Sequence, residues 1–111
     1  MSELLELQWK FMRALPLLIL KAHELGYECS CGDALRDERV FGKVGERKGY
    51  GHPSSAHKVK LALDLNLFKD GKYITDWTGH KELHDYWDTL GGAERITGDP
   101  NHYSFFYRGI R

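Results

Sequence analysis

The stretch from Val59 to Leu67 constrains the fold more than any other part of the chain. Val59, Leu61, Leu63, Leu65 and Leu67 alternate with Lys60, Ala62, Asp64 and Asn66. Unbroken period-two alternation predicts a strand over 59–67 with one buried face. Asp70-Gly71 follows as a tight-turn dipeptide and predicts a hairpin into Tyr73-Ile74. Upstream, Phe11, Leu15, Leu18, Ala22 and Leu25 recur at helical steps and predict helix over 3–25, ended by Gly26. Pro16 is expected to divide that stretch into two shorter helices. Leu83, Tyr86, Trp87 and Leu90 predict a further helix over 79–90, stopped by Gly91-Gly92. The tail Tyr103-Ser104-Phe105-Phe106-Tyr107 alternates as a last strand, its aromatic rings read as core. Residues 27–56 read as irregular, with a short strand at Ala34-Leu35-Arg36. Helices first, then strands with one helix between them, give an α+β class with a small, mainly antiparallel sheet.

Composition narrows the function. The 111 residues are expected to form a single domain over 1–111. Sixteen basic residues balance sixteen acidic ones, which argues against a nucleic-acid partner held by bulk positive charge. Apolar residues at 41% suffice for a core. No apolar run approaches the roughly 20 residues that cross a bilayer, so no membrane insertion is expected. Cys29 and Cys31 form a C-x-C pair, too close for ordinary disulfide geometry, and are read as structural thiols. The opening Met1-Ser2-Glu3-Leu4-Leu5-Glu6 puts acids where a secretory signal has positive charge, so a cytoplasmic product is expected.

The histidines carry the chemical information. His57, Asp64 and His102 supply two imidazoles and a carboxylate, a standard ligand set for catalytic zinc that leaves a fourth position for water. His57 and Asp64 are seven positions apart, and on one straight strand they point to opposite faces. They converge only if the chain turns, and residues 51–56, Gly-His-Pro-Ser-Ser-Ala, supply a bend. His102 follows the turn-forming Gly98-Asp99-Pro100-Asn101. The other histidines read as ordinary: His23 is structural and His52 is a loop residue. His80 and His84 lie on a solvated helix face, because Glu82 does not stand where H-E-x-x-H requires it.

Two motifs resemble a known family. Ser55-Ala56-His57-Lys58-Val59-Lys60-Leu61-Ala62-Leu63-Asp64 is similar to the S-x-H-x-x-G-x-A-x-D motif of the D-Ala-D-Ala carboxypeptidase and dipeptidase family of zinc peptidases. Asp99-Pro100-Asn101-His102-Tyr103 resembles that family's D-x-x-H-aromatic motif, and Cys31 to Asp37 resembles the segment carrying its active-site arginine. The likeness runs from about Gly26 to the C-terminus, and single-domain phage L-alanyl-D-glutamate endolysins are the nearest match in layout. Lys60 stands where the motif has glycine. Residues 91–97, Gly-Gly-Ala-Glu-Arg-Ile-Thr, replace the W-G-G stretch of many relatives.

The resemblance implies a hedgehog- and DD-peptidase-like fold, a Zn²⁺ cofactor held by His57, Asp64 and His102, and hydrolysis of peptidoglycan stem peptides. It implies Asp99 as catalytic acid/base and Arg36 as a catalytic and substrate-binding cation for the developing oxyanion. Ser55 is implied as a substrate contact or as a support for the His57 loop. The bond expected to be cut is L-Ala–D-Glu, with D-Ala–D-Ala carboxypeptidase action as the nearest alternative. A non-catalytic zinc-containing binding domain of the same fold is the rival of a different class, and a small metal-dependent nuclease is disfavoured by the neutral charge. A monomer is expected, held in the host cytoplasm until it is released to the cell wall.

Overall fold

A computed structural model describes residues 2–32 and 56–111. Helix α1 (Glu3–Glu24) is followed by strand β1 (Glu28–Cys31), a 3₁₀ turn (Ala56–Val59), β2 (Ala62–Lys69), β3 (Lys72–Ile74), α2 (Trp77–Thr89) and β4 (His102–Ser104). Among the described residues, the three strand pairings are antiparallel and all involve β2. β1 lies along 65–68 of β2, β3 pairs with 67–69, and β4 pairs with 62–64. The described residues therefore form a small α+β fold with two helices and a small antiparallel sheet.

α1 begins where Ser2 caps it, its hydroxyl accepting the Leu5 N–H at 3.1 Å, with Glu3 and Glu6 favourably placed in the first turn. The expected division at Pro16 does not occur; the helix is continuous. The physical reason is position. Pro16 is exposed, and the carbonyl it leaves without a helical donor belongs to Met12, which is 61% exposed, so water can satisfy it. The opposite face buries Phe11, Ala14, Leu18 and Ala22. Gly26 (φ +91°) ends the helix in the left-handed region.

The leucine alternation does what its period implies: Leu61, Leu63, Leu65 and Leu67 are all buried. The strand boundaries differ from those expected. Val59 ends the 3₁₀ turn instead of starting the strand, and β2 runs from Ala62 to Lys69 instead of 59–67. β1 is a strand within a stretch read as irregular. Glu28–Cys31 has no β-branched or aromatic residue to signal it, and pairing with β2 makes it a strand. The proposed strand at Ala34-Leu35-Arg36 lies outside the described residues. At the other end, β4 stops at Ser104, so Phe105 to Tyr107 lie beyond the strand.

The core joins the two helices to β4 through aromatic rings. Phe11 meets Trp87 edge-on at 5.8 Å and Phe105 at 5.7 Å, and the Trp87 indole N–H donates to the Ser104 carbonyl at 2.8 Å. Gly92 lies against this indole so closely that an added Cβ would overlap the ring. Gly92→Ala is accordingly expected to lower stability by about 1–3 kcal/mol. Urea unfolding measures this, and an unchanged midpoint would refute the packing. Among the described residues, no helix is long and apolar enough to cross a membrane.

Candidate metal centre

Asp64 lies on the face of β2 opposite the buried leucines, as the alternation requires. The register of β2 with β4 places His102 directly across from it, and cross-strand partners share one face. His57 reaches the same place by a turn. Its 3₁₀ segment is closed by the Leu61 N–H on the Ala56 carbonyl at 3.0 Å, and Lys60 takes φ +60°. A bend near His57 was expected from the approach at 51–56, most of which lies outside the described residues. The turn seen here falls at 56–61, between His57 and Asp64. The convergence depends on it.

Lys60 occupies the left-handed region, where glycine is at ease and a residue with a Cβ is not. It is also the position at which the resembling motif has glycine. Lys60 is exposed, so little packing opposes a change there. Lys60→Gly is expected to raise stability by roughly 0.5–1 kcal/mol without altering the site. A fall in the thermal midpoint would show that the lysine side chain contributes more than its backbone costs.

The three side chains meet closely. His57 Nε2 is 3.0 Å from Asp64 Oδ1 and 3.2 Å from His102 Nδ1, and His102 Nδ1 is 3.7 Å from Asp64 Oδ1. An ion bound at ~2.0–2.1 Å in tetrahedral geometry needs its ligand atoms roughly 3.3 Å apart, and the three spacings bracket that value. His57 is fully buried, His102 nearly so, and the Asp64 side chain is 15% exposed. His57, Asp64 and His102 thus form a group that could hold a metal ion. Burial raises the Asp64 carboxyl, but hydrogen bonds and charge from His102 and His57 outweigh it and hold the group well below the usual carboxylate range. The carboxylate thus stands charged beside the two rings.

Asp99 and His102 stand at the two ends of one β-turn, closed by the His102 N–H on the Asp99 carbonyl at 3.2 Å. Proline and asparagine fill the middle of this turn, in keeping with their ordinary turn preferences. Asp99 Oδ2 is 3.8 Å from His102 Nδ1, and the Asp99 side chain is 47% exposed. A second, half-exposed carboxylate therefore stands beside the cluster. Arg36 and Ser55, with His52, lie outside the described residues.

The histidines of α2 require a correction. His80 and His84 do not lie on a solvated face; both are buried. They share a helix face with Leu83 and Trp87, and that face packs on Tyr103. His80 Nδ1 bonds the Tyr103 hydroxyl at 2.8 Å, and His84 Nε2 bonds the Pro100 carbonyl at 2.7 Å. Burial is the main influence on His84 and pushes it down to about 4, so the ring is neutral at neutral pH. The i,i+4 histidine spacing was visible in the sequence, but only the presence of a tyrosine and a turn carbonyl opposite it gives it a role. Cys29 and Cys31 are both free thiols, and burial pushes the Cys29 thiol up.

No protein-family model, curated protein or solved structure matches this chain.

Proposed function

We propose that this chain is a zinc metallopeptidase that hydrolyses peptidoglycan stem peptides, cutting the L-Ala–D-Glu bond. The observation that carries this reading is the convergence of His57 Nε2, Asp64 Oδ1 and His102 Nδ1 within 3.0–3.7 Å, with the exposed Asp99 carboxylate beside them. The two motifs that resemble the D-Ala-D-Ala carboxypeptidase and dipeptidase family, and its phage endolysin members, supply the substrate class. A hedgehog-like arrangement of the sheet and helices belongs to the same proposal.

When bound, a zinc ion supplies a Lewis acid and lowers the pKa of a water it holds to about 7. His57, Asp64 and His102 would hold it. Asp99 takes a proton from the attacking water and delivers it to the leaving amine, so the C–N bond breaks with one water consumed. Half exposure suits this role, because the carboxylate must meet substrate and solvent in turn. Arg36 is proposed to steady the developing negative charge on the carbonyl oxygen, and Ser55 to contact the substrate or the His57 loop. The Asp99 carboxylate, 3.8 Å from His102 Nδ1 and half exposed, is placed to exchange protons with substrate and solvent, which supports the hydrolytic reading.

Digestion of purified muropeptides followed by mass spectrometry tests this reading. A split after L-Ala, lost on chelation and restored by added zinc, is the expected result. Freed D-Ala would assign carboxypeptidase action instead. Intact muropeptides with zinc-loaded protein would overturn both.

A further inference from the structure

We infer that His84 is a positioning residue for the metal-binding turn: it fixes the Asp99–His102 turn from behind through the Pro100 carbonyl and the Tyr103 ring. This inference rests on the reading of His57, Asp64 and His102 as a metal site.

The turn is held from two sides. On the strand side, the Leu65 N–H donates to the Asn101 carbonyl at 2.8 Å, and the Asn101 amide donates to Asn66 Oδ1 at 3.0 Å. Both holds come from β2, next to Asp64. On the other side stands α2. His84 Nε2 lies 2.7 Å from the Pro100 carbonyl, and its ring stacks on Tyr103 at 4.1 Å with planes only 12° apart. Pro100 immediately follows Asp99, and Tyr103 immediately follows His102. His84 therefore touches the chain next to both functional ends of the turn. Tyr103 is held in turn by His80 Nδ1 on its hydroxyl at 2.8 Å, so the surface on which His84 stacks is itself anchored.

The residue type supports a positioning role over core filling. A carbonyl only accepts, so His84 Nε2 must carry the proton. Its Nδ1 is buried without a hydrogen-bond partner among the described residues, so the polar function of the ring is spent on Pro100. A buried imidazole costs free energy that a leucine would not, unless one of its nitrogens is needed. Residues that orient a ligand from outside the coordination sphere typically set metal affinity or activity by about 10–100-fold.

The test compares His84→Leu, which fills space without a donor, with His84→Gln, whose amide can place a donor near the same point. The probe is cobalt(II), titrated into the full chain and followed by its visible absorption, with thermal unfolding as the control for folding. His84→Leu is expected to bind cobalt about 10–100-fold more weakly than the wild type, and His84→Gln to recover to within about threefold. Wild-type affinity in a folded His84→Leu, or no recovery in a folded His84→Gln, overturns the inference. If His84→Leu does not fold, a long-range ¹H–¹⁵N spectrum of the wild type decides: the proton must sit on Nε2, and an Nδ1-protonated ring overturns the inference. A wild type that binds cobalt but cleaves no stem peptide defeats the proposed function and leaves this inference to the variants. One that binds no cobalt defeats both.

Discussion

Alanine in place of His57, Asp64 or His102 is expected to abolish stoichiometric metal binding and, with it, hydrolysis of stem peptides. Each side chain supplies one of three donor atoms that stand 3.0–3.7 Å apart, and no other described histidine, cysteine or carboxylate completes the group. Losing one leaves two donors around a position that needs at least three. The loss of affinity must exceed the ~10–100-fold typical of contacts outside the coordination sphere. Asp64→Ala is expected to be the most severe, because it also removes the carboxylate that offsets the ion's charge. Elemental analysis of the purified proteins measures the effect directly. Thermal unfolding gives an independent reading, since an ion at ~100 times its Kd adds about 2.7 kcal/mol to stability. A chelator should therefore lower the wild-type midpoint and leave the three variants unmoved. Any one variant that keeps an ion per chain at wild-type affinity removes that residue from the site.

Asp99→Asn should separate chemistry from binding. Asparagine keeps the size of the side chain and suits a turn, so His102 stays in place. It cannot accept and return a proton as a carboxylate does. Turnover is expected to fall by about 10²–10⁴-fold while the metal content stays at the wild-type level. The geometry makes the distinction possible: Asp99 Oδ2 is 3.8 Å from His102 Nδ1 and half exposed, beside the ligand cluster and outside it. Turnover near the wild type would exclude Asp99 as the proton carrier. Loss of the metal together with turnover would make Asp99 a ligand instead.

Much of the architecture could be read from local pattern. The leucine alternation located the central strand and placed Asp64 away from the core, because side chains on a strand must alternate between faces. Asp70-Gly71 marked the hairpin, and both its residues take positive φ, at 53° and 76°. The proline and asparagine between Asp99 and His102 marked a turn that the structure contains. The misses share a cause. Pro16 is tolerated because of the side of the helix on which it falls, which depends on where the core lies. β1 is a strand because β2 offers it hydrogen bonds, and its own residues barely favour the conformation. His80 and His84 are buried because Tyr103, far along the chain, covers them.

The candidate site divides in the same way. Chemistry alone made His57, Asp64 and His102 one of many possible triples among six histidines, and the resemblance to two motifs singled it out. Backbone preference marked the turn before His102 but not the one at 56–61. That His57, Asp64 and His102 stand within reach of one ion follows from the register of β2 against β4, which sets Asp64 opposite His102, and from the turn at 56–61. Register is a relation between segments distant in sequence. It is set by which pairing buries the leucines and satisfies the backbone, and a shift of one residue would turn Asp64 toward the core. Short-range pattern carries the donors; long-range pairing alone brings them to one point.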